Sequence, residues 1–520
     1  MWTVQKPNPV KLGRENILVL PCEVSQFAKN SINSIEKTFD YFLPEEVLKK
    51  IAHYSNLYVE KYNERAVQQG KNQIEWMRTN AEEIRAFIGF LILSGVLLAQ
   101  KEPLHSLWEG DAAFQRPIFS ATFGRNRFIE LLRFIRFDDK ESRKIREETD
   151  KLAAIREILE MIREKFQDAY YPSDSLTIDE QLIRFYGHCK FRVYMPSKPD
   201  KYGIKVWVLA DASNGYCLNF EVYTGKPIGA DRERNQGMRV VLQLTNHLPG
   251  GYNITTDNFF TSIQLAEALL NRPNSMTLVG TIRKNKPELP EKFVNPKGRQ
   301  VYSSIFAFAD KMTLVSYVPK PRKTVTLLST MHHDAIIDEQ DRFKPEIIKY
   351  YNKTKIGVDL LDQMLKYYRC YRRTARWPLV LFLNLIDIAC LNAYILWIKL
   401  NPLWKDKQNT KRRQFLLELS KSLVLPYIDH RDTSNLHKPI LRAIEVVSNK
   451  SIKREMTAGV VGNTDPTIKR GRCIICPRLK DRKIPSKCSQ CKEFVCAEHS
   501  TITSTVVCQR CQGDKDFLDL

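Results

Sequence analysis

The spacing of the apolar residues changes near residue 175, and this change constrains the fold most strongly. Between residues 31 and 168 they recur every three or four positions, which is typical of amphipathic helices. Beyond residue 175 they form short β-branched or aromatic runs bounded by turn formers, which is typical of strands. The predicted strands cover residues 175–179, 191–194, 204–210, 216–223, 254–256 and 278–282. Helical segments near 232–248 and 262–271 interrupt them, so the sequence predicts an α/β fold with a mixed sheet.

The chain carries a large positive charge, with 81 Lys and Arg against 59 Asp and Glu in 520 residues and a formal net charge of +22. Such a surplus indicates a polyanionic partner, of which nucleic acid is the first candidate and an acidic membrane surface the second. A basic protein without such a partner is the alternative. The 43% hydrophobic and 10% aromatic content excludes a wholly disordered chain, and 12 Cys are too sparse for a small disulfide scaffold.

Two apolar stretches raise the question of a membrane span. Residues 86–99 are uncharged but fall short of the ~20 residues that a spanning helix needs. Residues 379–400 are long enough but contain Asn384, Asp387 and Lys399, which are costly in lipid. The apolar run at 17–20 is too short for a secretory signal. We therefore expect an intracellular protein in which both stretches are core helices.

Seven of the 12 Cys lie in the last 48 residues, in pairs separated by two residues. With one His they form four such pairs, Cys473/Cys476, Cys488/Cys491, Cys496/His499 and Cys508/Cys511. Tetrahedral zinc takes four thiolate or imidazole ligands, so eight ligands predict two zinc ions. A disulfide framework is the alternative, and it needs an oxidising compartment.

The distance between the pairs bears on how they combine. Only four residues separate Cys491 from Cys496, which favours interleaved over sequential pairing. Pairs one and three would then hold one ion, and pairs two and four the other. Basic neighbours favour DNA as the partner of this finger, but cross-braced fingers also bind histone tails or ubiquitin-conjugating enzymes.

Four acidic residues lie where a two-metal nuclease would carry them. Asp179 falls at or near the end of the first predicted strand, and Asp257 follows the strand at 254–256. Asp359 and Asp362 share one face if their segment is helical. Mg²⁺ prefers carboxylate oxygens, and two ions about 4 Å apart activate the attacking oxygen and stabilise the leaving one. Turn residues and a solvated helix face are the alternatives.

Basic residues near these carboxylates are predicted to contact DNA phosphates. Five of them follow Asp362 and are interleaved with aromatic residues that could stack on unpaired bases. They are Lys366, Arg369, Arg372, Arg373 and Arg376. A second predicted patch consists of Lys198, Lys201 and Lys205. The alternative is a solvated helix face with core aromatics, which we favour for Trp377.

Several short motifs together resemble the piggyBac family of DNA transposases and their host-domesticated derivatives. They are RFDD at 136–139, DKL at 150–152, TIDE at 177–180, PSKP at 196–199 with GIK at 203–205, TDNFF at 256–260, GVD at 357–359 with Asp362, and RWP at 376–378. The resemblance runs from about residue 30 to 511. It implies a ribonuclease H-like catalytic core with an insertion, and a catalytic triad of Asp179, Asp257 and Asp359 with Asp362 as a fourth carboxylate.

The resemblance also implies an activity. Such enzymes cut both strands at transposon ends through hairpin intermediates, insert at TTAA and recognise terminal repeats with the cysteine-rich domain. We therefore expect a nuclear homodimer that binds double-stranded DNA, uses Mg²⁺ or Mn²⁺ together with two Zn²⁺, and has neither a membrane nor a small-molecule substrate as partner. A domesticated DNA-binding derivative without transposition activity is the alternative.

The same resemblance implies the domain organisation. The expected order is a flexible leader (1–27), a helical dimerisation and DNA-binding domain, first part (28–174), the catalytic core, first part (175–283), an insertion subdomain (284–345), the last helix of the core (346–368), the second part of the helical domain (369–447), a basic linker (448–472), the zinc finger (473–511) and a tail (512–520).

Overall fold

The computed structural model describes residues 2–4, 18, 20–109, 114–226, 233–273, 275–450, 471–477, 483–502 and 506–508. The chain divides into two compact units, Met1–Ser451 and Ile452–Leu520. The predicted leader and linker lie largely outside the described residues. The division into functional domains stays a prediction.

The first unit packs helices against a central group of strands. In the described part they are α1 (Gln26–Ser31), α2 (Ile35–Asp40), α3 (Glu45–Gln68), α4 (Ala81–Val96), α5 (Pro117–Thr122), α6 (Arg125–Phe134), α7 (Arg143–Arg146), α8 (Arg156–Asp168), α9 (Gln236–Leu244), α10 (Ile263–Leu270), α11 (Glu291–Val294), α12 (Glu346–Thr354), α13 (Gly357–Tyr367), α14 (Trp377–Leu400), α15 (Lys411–Asp429) and α16 (Lys438–Ser448). Short 3₁₀ turns cover Ala99–Lys101 and Leu104–Trp108. Side-chain caps begin several helices: Asn80 Oδ1, for example, accepts from the Glu83 N–H at the start of α4.

The strands of this unit are β1 (Glu23–Val24), β2 (Tyr170–Tyr171), β3 (Ser175–Arg184), β4 (Val193–Tyr194), β5 (Tyr202–Asp211), β6 (Cys217–Val222), β7 (Asn253–Thr256), β8 (Thr277–Thr281), β9 (Ser304–Ala309), β10 (Met312–Lys320), β11 (Lys323–Ser329), β12 (Ile337–Asp338) and β13 (Lys344–Pro345). Nine of them form one sheet in the order β4-β5-β3-β7-β8-β11-β10-β9, with β6 also paired to β5. β3, β7 and β8 are parallel, and the other pairings are antiparallel. The predicted α/β fold with a mixed sheet is confirmed.

The first strand of the sheet is longer than its predicted extent of 175–179. It continues to Arg184 because β5 pairs with it along almost its whole length, from Leu176 opposite Asp211 to Arg184 opposite Gly203. The parallel partner β7 pairs only with the first four residues, Ser175–Ile178. Asp179 therefore lies in the middle of β3, at the point where β7 ends, and its predicted place at the end of the strand is wrong.

The apolar helix α14 is buried in the first unit. It is the one described helix long and apolar enough to cross a membrane, and 89% of its apolar window is buried inside the protein. Its polar residues have partners: Asp387 Oδ1 accepts from the Cys370 N–H at 2.7 Å, and Asn392 pairs with both the N–H and the carbonyl of Cys217. Packing and internal hydrogen bonds account for its composition, as predicted for a core helix.

α13 begins with a glycine that lies directly against the sheet. A Cβ on Gly357 would lie 2.7 Å from Thr177 Oγ1 and 3.1 Å from the Cα of Ala212. We expect Gly357→Ala to destabilise the first unit by ~1–3 kcal/mol, because helix and sheet must separate. Urea unfolding followed by tryptophan fluorescence measures this, since all seven Trp lie in that unit.

Gly124→Ala is the matched control for this substitution. A Cβ at Gly124 meets nothing within 4 Å, so its effect should stay within about 0.5 kcal/mol. Equal stabilities of the two variants would show that α13 does not depend on this close approach.

Burial raises the pKa of Asp387 in α14 to about 7. An unfolded Asp titrates near 3.9, so between about pH 4 and 7 the folded state holds a proton that the unfolded state has lost. Stability from this group therefore falls as pH rises through that window, by about 1.4 kcal/mol per pH unit, and levels off above about pH 7. Asp387→Asn removes this dependence and should gain stability over the wild type between pH 5 and 7.5 in urea unfolding. A difference that is constant across this range would contradict the prediction.

Candidate active site

The parallel register of β3 and β7 places two of the predicted carboxylates side by side. Ile178 of β3 lies opposite Thr256 of β7. The residues that follow are Asp179 and Asp257, so the two carboxylates leave neighbouring strands at the same level. The negative charge of Asp257 contributes to raising the pKa of Asp179, as expected for neighbours.

The turn between α12 and α13 is bound to the same two strands. Thr177 Oγ1 of β3 donates to the carbonyl of Thr354, and the hydroxyls of Thr255 and Thr354 lie 2.8 Å apart. This attachment, with the close approach of Gly357, places the first turn of α13 over the sheet. Asp359 is exposed in that turn.

One tyrosine reports on the arrangement of the predicted triad. Burial raises the pKa of Tyr351, on α12, and the charges of Asp257, Asp179 and Asp359 raise it further. The three carboxylates, which are separated in sequence by up to 180 positions, therefore all lie close enough to the Tyr351 phenol for their charges to raise its pKa.

The electrostatics of the group disfavour its own negative charge. Burial raises the pKa of Asp179 to about 7, and the charges of Glu180 and Asp257 add to the effect. Burial likewise raises the pKa of Asp362 to about 6. Lys198 acts in the opposite direction on both carboxyls. Carboxylates that are buried beside other carboxylates favour a bound cation.

The four predicted carboxylates are more widely spread than one ion's ligand shell. Among the residues that the structure describes, the cysteine cluster below is the one group of three or more potential ligands whose donor atoms all lie within 4.8 Å of one another. The hard oxygen donors of the acidic group suit Mg²⁺ or Mn²⁺.

A cavity of about 350 Å³ opens beside Asp362, between β3, α13 and α14. Lys198, Lys366 and Arg369, three of the predicted DNA-binding residues, line it together with Asp362. Gln181 and Asn384 also line it. No sequence motif marks either amide as functional, although Gln181 follows Asp179 by two positions and so shares its face of β3.

The second unit gathers half of the predicted zinc ligands. Its described elements are β14 (Gly471–Arg472), β15 (Lys483–Ile484), a 3₁₀ turn (Ala497–His499), β16 (Ser500–Ile502) and β17 (Val506–Cys508). His499 Nδ1 lies 3.2 Å from Cys496 Sγ, 3.4 Å from Cys476 Sγ and 3.9 Å from Cys473 Sγ. The four residues form one compact Cys₃His cluster.

This cluster joins pairs one and three of the sequence pattern, as interleaved pairing predicts. Burial opposes ionisation of Cys473, but backbone N–H donors from Cys496, Ile475 and Cys476 outweigh it and lower the pKa of Cys473 to about 6. A thiolate is the form that zinc binds. Cys488 is buried and Cys491 is exposed, whereas the side chain of Cys508 and all of Cys511 lie outside the described residues. The second predicted ion stays a prediction.

Comparison with known proteins now identifies the family. A family model described as Transposase IS4 matches residues 36–394. A cryo-EM structure of the piggyBac transposase synaptic complex with hairpin DNA is 33% identical in sequence, with a TM-score of 0.75 over 95% of this chain and 100% of that one. The chain belongs to the piggyBac family of transposases.

Human piggyBac relatives are similar over a shorter region. PiggyBac transposable element-derived protein 3 is 26% identical over 374 residues, which cover 68% of this chain and 60% of the relative. PiggyBac transposable element-derived protein 5 is 25% identical over 411 residues, which cover 74% of each. The chain thus spans about 60% of the length of the first of these relatives.

The basic residues of this piggyBac-family chain differ in their access to a ligand. Lys201, Lys366 and Arg373 are exposed. Lys198 Nζ donates to the Glu180 carbonyl at 3.0 Å, and Lys205 Nζ lies 3.5 Å from a Glu180 carboxylate oxygen. Lys205 therefore neutralises the charge of Glu180 next to Asp179, whereas Lys198 lines the cavity.

Two of the predicted phosphate-binding arginines are committed to the protein interior. Arg376 is largely buried and donates to the carbonyls of Leu132, Arg133 and Ile135, which the C-terminus of α6 leaves unpaired. Arg372 is 5% exposed and donates to the Glu102 carbonyl. Burial lowers the pKa of both. Their placement corrects the expectation of phosphate contact for these two.

If the Cys₃His cluster binds zinc, loss of one of its ligands should lower the zinc content of the protein. Cys476→Ser removes one of the four donors and should lower the bound zinc by one equivalent, as measured by inductively coupled plasma mass spectrometry on the purified chain. Cys189→Ser is the control, because Cys189 is half-buried in the first unit and is not one of the four clustered residues. Unchanged zinc in Cys476→Ser would show that the cluster binds none.

Proposed function

We propose that this chain is a piggyBac-type DNA transposase that cleaves transposon ends and joins them to TTAA targets by metal-dependent phosphoryl transfer. The observation that carries the proposal is the β3–β7 register, which sets Asp179 beside Asp257 beneath the helix that carries Asp359 and Asp362. Similarity to a synaptic complex with hairpin DNA supports DNA as the partner.

The topology supports a ribonuclease H-like core. Strands β6, β5, β3, β7 and β8 are adjacent in that order, with three antiparallel strands followed by two parallel ones. The residues of the proposed insertion, 284–345, supply β9–β11, which extend the sheet beyond β8.

Packing of α4 against α15 supports a helical domain split in sequence. A Cβ on Gly89 of α4 would lie 2.8 Å from the Cβ of Leu423 on α15, so the two helices are in intimate contact across more than 300 residues of sequence. We assign dimerisation and DNA binding to this domain, as in the proposed transposase.

The acidic group fits Mg²⁺ or Mn²⁺ as its cofactor. Asp179, Asp257, Asp359 and Asp362 would hold the ions, whose charge offsets the raised pKa values of the buried carboxyls. When bound, such ions lower the pKa of a water and stabilise the leaving oxygen of a phosphodiester.

The protein's own residues supply position and charge. The Thr177–Thr354 bond and Gly357 keep α13 over the strands, so Asp359 stays on the side of the sheet that carries Asp179 and Asp257. Lys198 and Lys205 place positive charge at the edge of the acidic group, where a phosphate would enter. Hydrolysis of the first strand frees a 3′-hydroxyl, whose attack on the opposite strand forms the hairpin, and one site serves each step because all are in-line displacements at phosphorus.

The remaining parts of the proposal concern partners. Lys198, Lys201, Lys205, Lys366, Arg369 and Arg373 would contact phosphates, and the cysteine-rich unit, with two Zn²⁺, would recognise the terminal repeats. The net charge of +22 supports this polyanionic partner. We further propose that the protein acts as a homodimer in the nucleus.

A domesticated derivative that binds DNA without moving it is the second candidate. The names of the human relatives, which are transposable element-derived proteins, favour it. An excision assay with candidate transposon ends and Mg²⁺ distinguishes the two: precise excision identifies a transposase, whereas end binding without strand cleavage identifies the derivative.

Asp257→Asn should lower the rate of strand cleavage by at least ~100-fold, because the variant loses a metal ligand. Its affinity for DNA should stay the same, because no phosphate contact is lost. Cleavage of labelled ends and fluorescence anisotropy measure the two properties. Asp406→Asn, at an exposed position in the first unit, is the control and should cleave normally. Wild-type cleavage by Asp257→Asn would refute the assigned role.

A further inference from the structure

The cavity beside Asp362 is lined by two amides, Gln181 and Asn384, to which no function is yet assigned. Gln181 of β3 is 3% exposed, and its Nε2 donates to Asp362 Oδ1 at 2.6 Å. Its Oε1 accepts from Asn384 Nδ2 at 3.0 Å. The three side chains form a continuous chain of hydrogen bonds from α14, through the sheet, to α13.

The carboxylate of Asp362 decides which groups donate and which accept along this series of hydrogen bonds. An ionised carboxylate only accepts hydrogen bonds, so Gln181 must turn its NH₂ group toward Asp362. Its oxygen then faces Asn384, which must donate. Reversing the Gln181 amide would set oxygen against oxygen at one end and NH₂ against NH₂ at the other. Asp362 at one end and Asn384 at the other therefore fix the orientation of the Gln181 amide.

Gln181 belongs to a row of residues on one face of β3. Thr177, Asp179 and Gln181 alternate along the strand and so point to the same side, over a length of ~13 Å. Thr177 donates to the carbonyl of Thr354, just before α13, and Gln181 donates to Asp362 one turn into α13. The strand thus holds the helix on both sides of Asp179.

We propose that Gln181, oriented by Asn384, is a positioning residue that holds Asp362 in the orientation needed to bind a metal ion. The inference rests on the proposed function, because it requires Asp362 to be a metal ligand. Buried carboxylates with a fixed donor partner are held in one rotamer, and outer-shell partners of this kind change metal affinity by about 10–100-fold. The hydrogen bonds from Asn384 through Gln181 to Asp362 also connect the proposed metal site to α14, which belongs to the proposed helical domain.

Two substitutions in the full chain test this role. Gln181→Met keeps the length of the side chain and removes both polar atoms. Asn384→Asp keeps the shape and replaces the donor by an acceptor, so it acts on Asp362 through Gln181. Titration calorimetry with Mn²⁺ should show one ion bound about 10–100-fold more weakly in both variants, with melting temperatures near that of the wild type. Higher Mg²⁺ should restore their cleavage rate.

Gln363→Met is the matched control. It makes the same chemical change at an exposed position next to Asp362, in the lining of the same cavity. It should bind Mn²⁺ as the wild type does, and equal weakening by this variant would overturn the inference.

The outcomes separate this inference from the proposed function. If the wild type binds Mn²⁺ and both Gln181→Met and Asn384→Asp match it, the positioning role is wrong and the metal site stands. If the wild type binds no Mn²⁺, the proposed metal-dependent function fails and the inference fails with it. Should Gln181→Met unfold, Asn384→Asp decides alone.

Discussion

The parallel pairing of β3 with β7 determines where the acidic residues of this protein lie. Because side chains alternate along strands and the two strands run in the same direction, fixing Ile178 opposite Thr256 also fixes Asp179 beside Asp257. A slip of one residue would turn one of the two carboxylates to the other face of the sheet. The antiparallel partner β5 supports β3 beyond the point where β7 ends, so Asp179 is held in regular backbone and not in a loop.

The helix that completes the acidic group depends on that same strand. α13 can lie close to the sheet only because its first residue has no side chain, and Thr177 then reaches the backbone of the preceding turn. These contacts are local and short, whereas Thr177 and Thr354 are 177 positions apart in sequence. Assembly of the group is therefore a property of the whole first unit, because no single segment contains two of the three elements involved.

Much of this arrangement could be predicted from the sequence, and the parts that could not share a physical cause. Apolar spacing indicates strands and helices correctly, and the short gap between Cys491 and Cys496 indicates the interleaved pairing that gathers Cys473, Cys476, Cys496 and His499. The spacing of apolar residues does not show where each strand ends, so the sequence predicts Asp179 at the end of β3, whereas pairing with β5 extends the strand to Arg184. Likewise, a run of arginines shows charge but does not show which of the side chains are buried. Arg376 donates hydrogen bonds to backbone carbonyls at the end of α6. Long-range pairing decides both cases, and it leaves no local signal.

Burial makes the negative charges of Asp179 and Asp362 costly, so these carboxylates depend on nearby positive charge. Raising the pKa of Asp179 from 3.8 to about 7 means that ionisation costs about 4 kcal/mol more there than in water. Selection for folding stability does not explain a carboxyl group at this position, since an amide or an apolar residue of similar size would avoid the cost. The positive charge of Lys198 offsets part of this cost at Asp179 and also at Asp362. The ammonium group of Lys198 nevertheless donates its hydrogen bond to the neutral Glu180 carbonyl and not to either carboxylate. The group therefore retains a surplus of negative charge in a protein whose net charge is +22, and the divalent cation and the phosphate that we propose as its ligands would balance both charges.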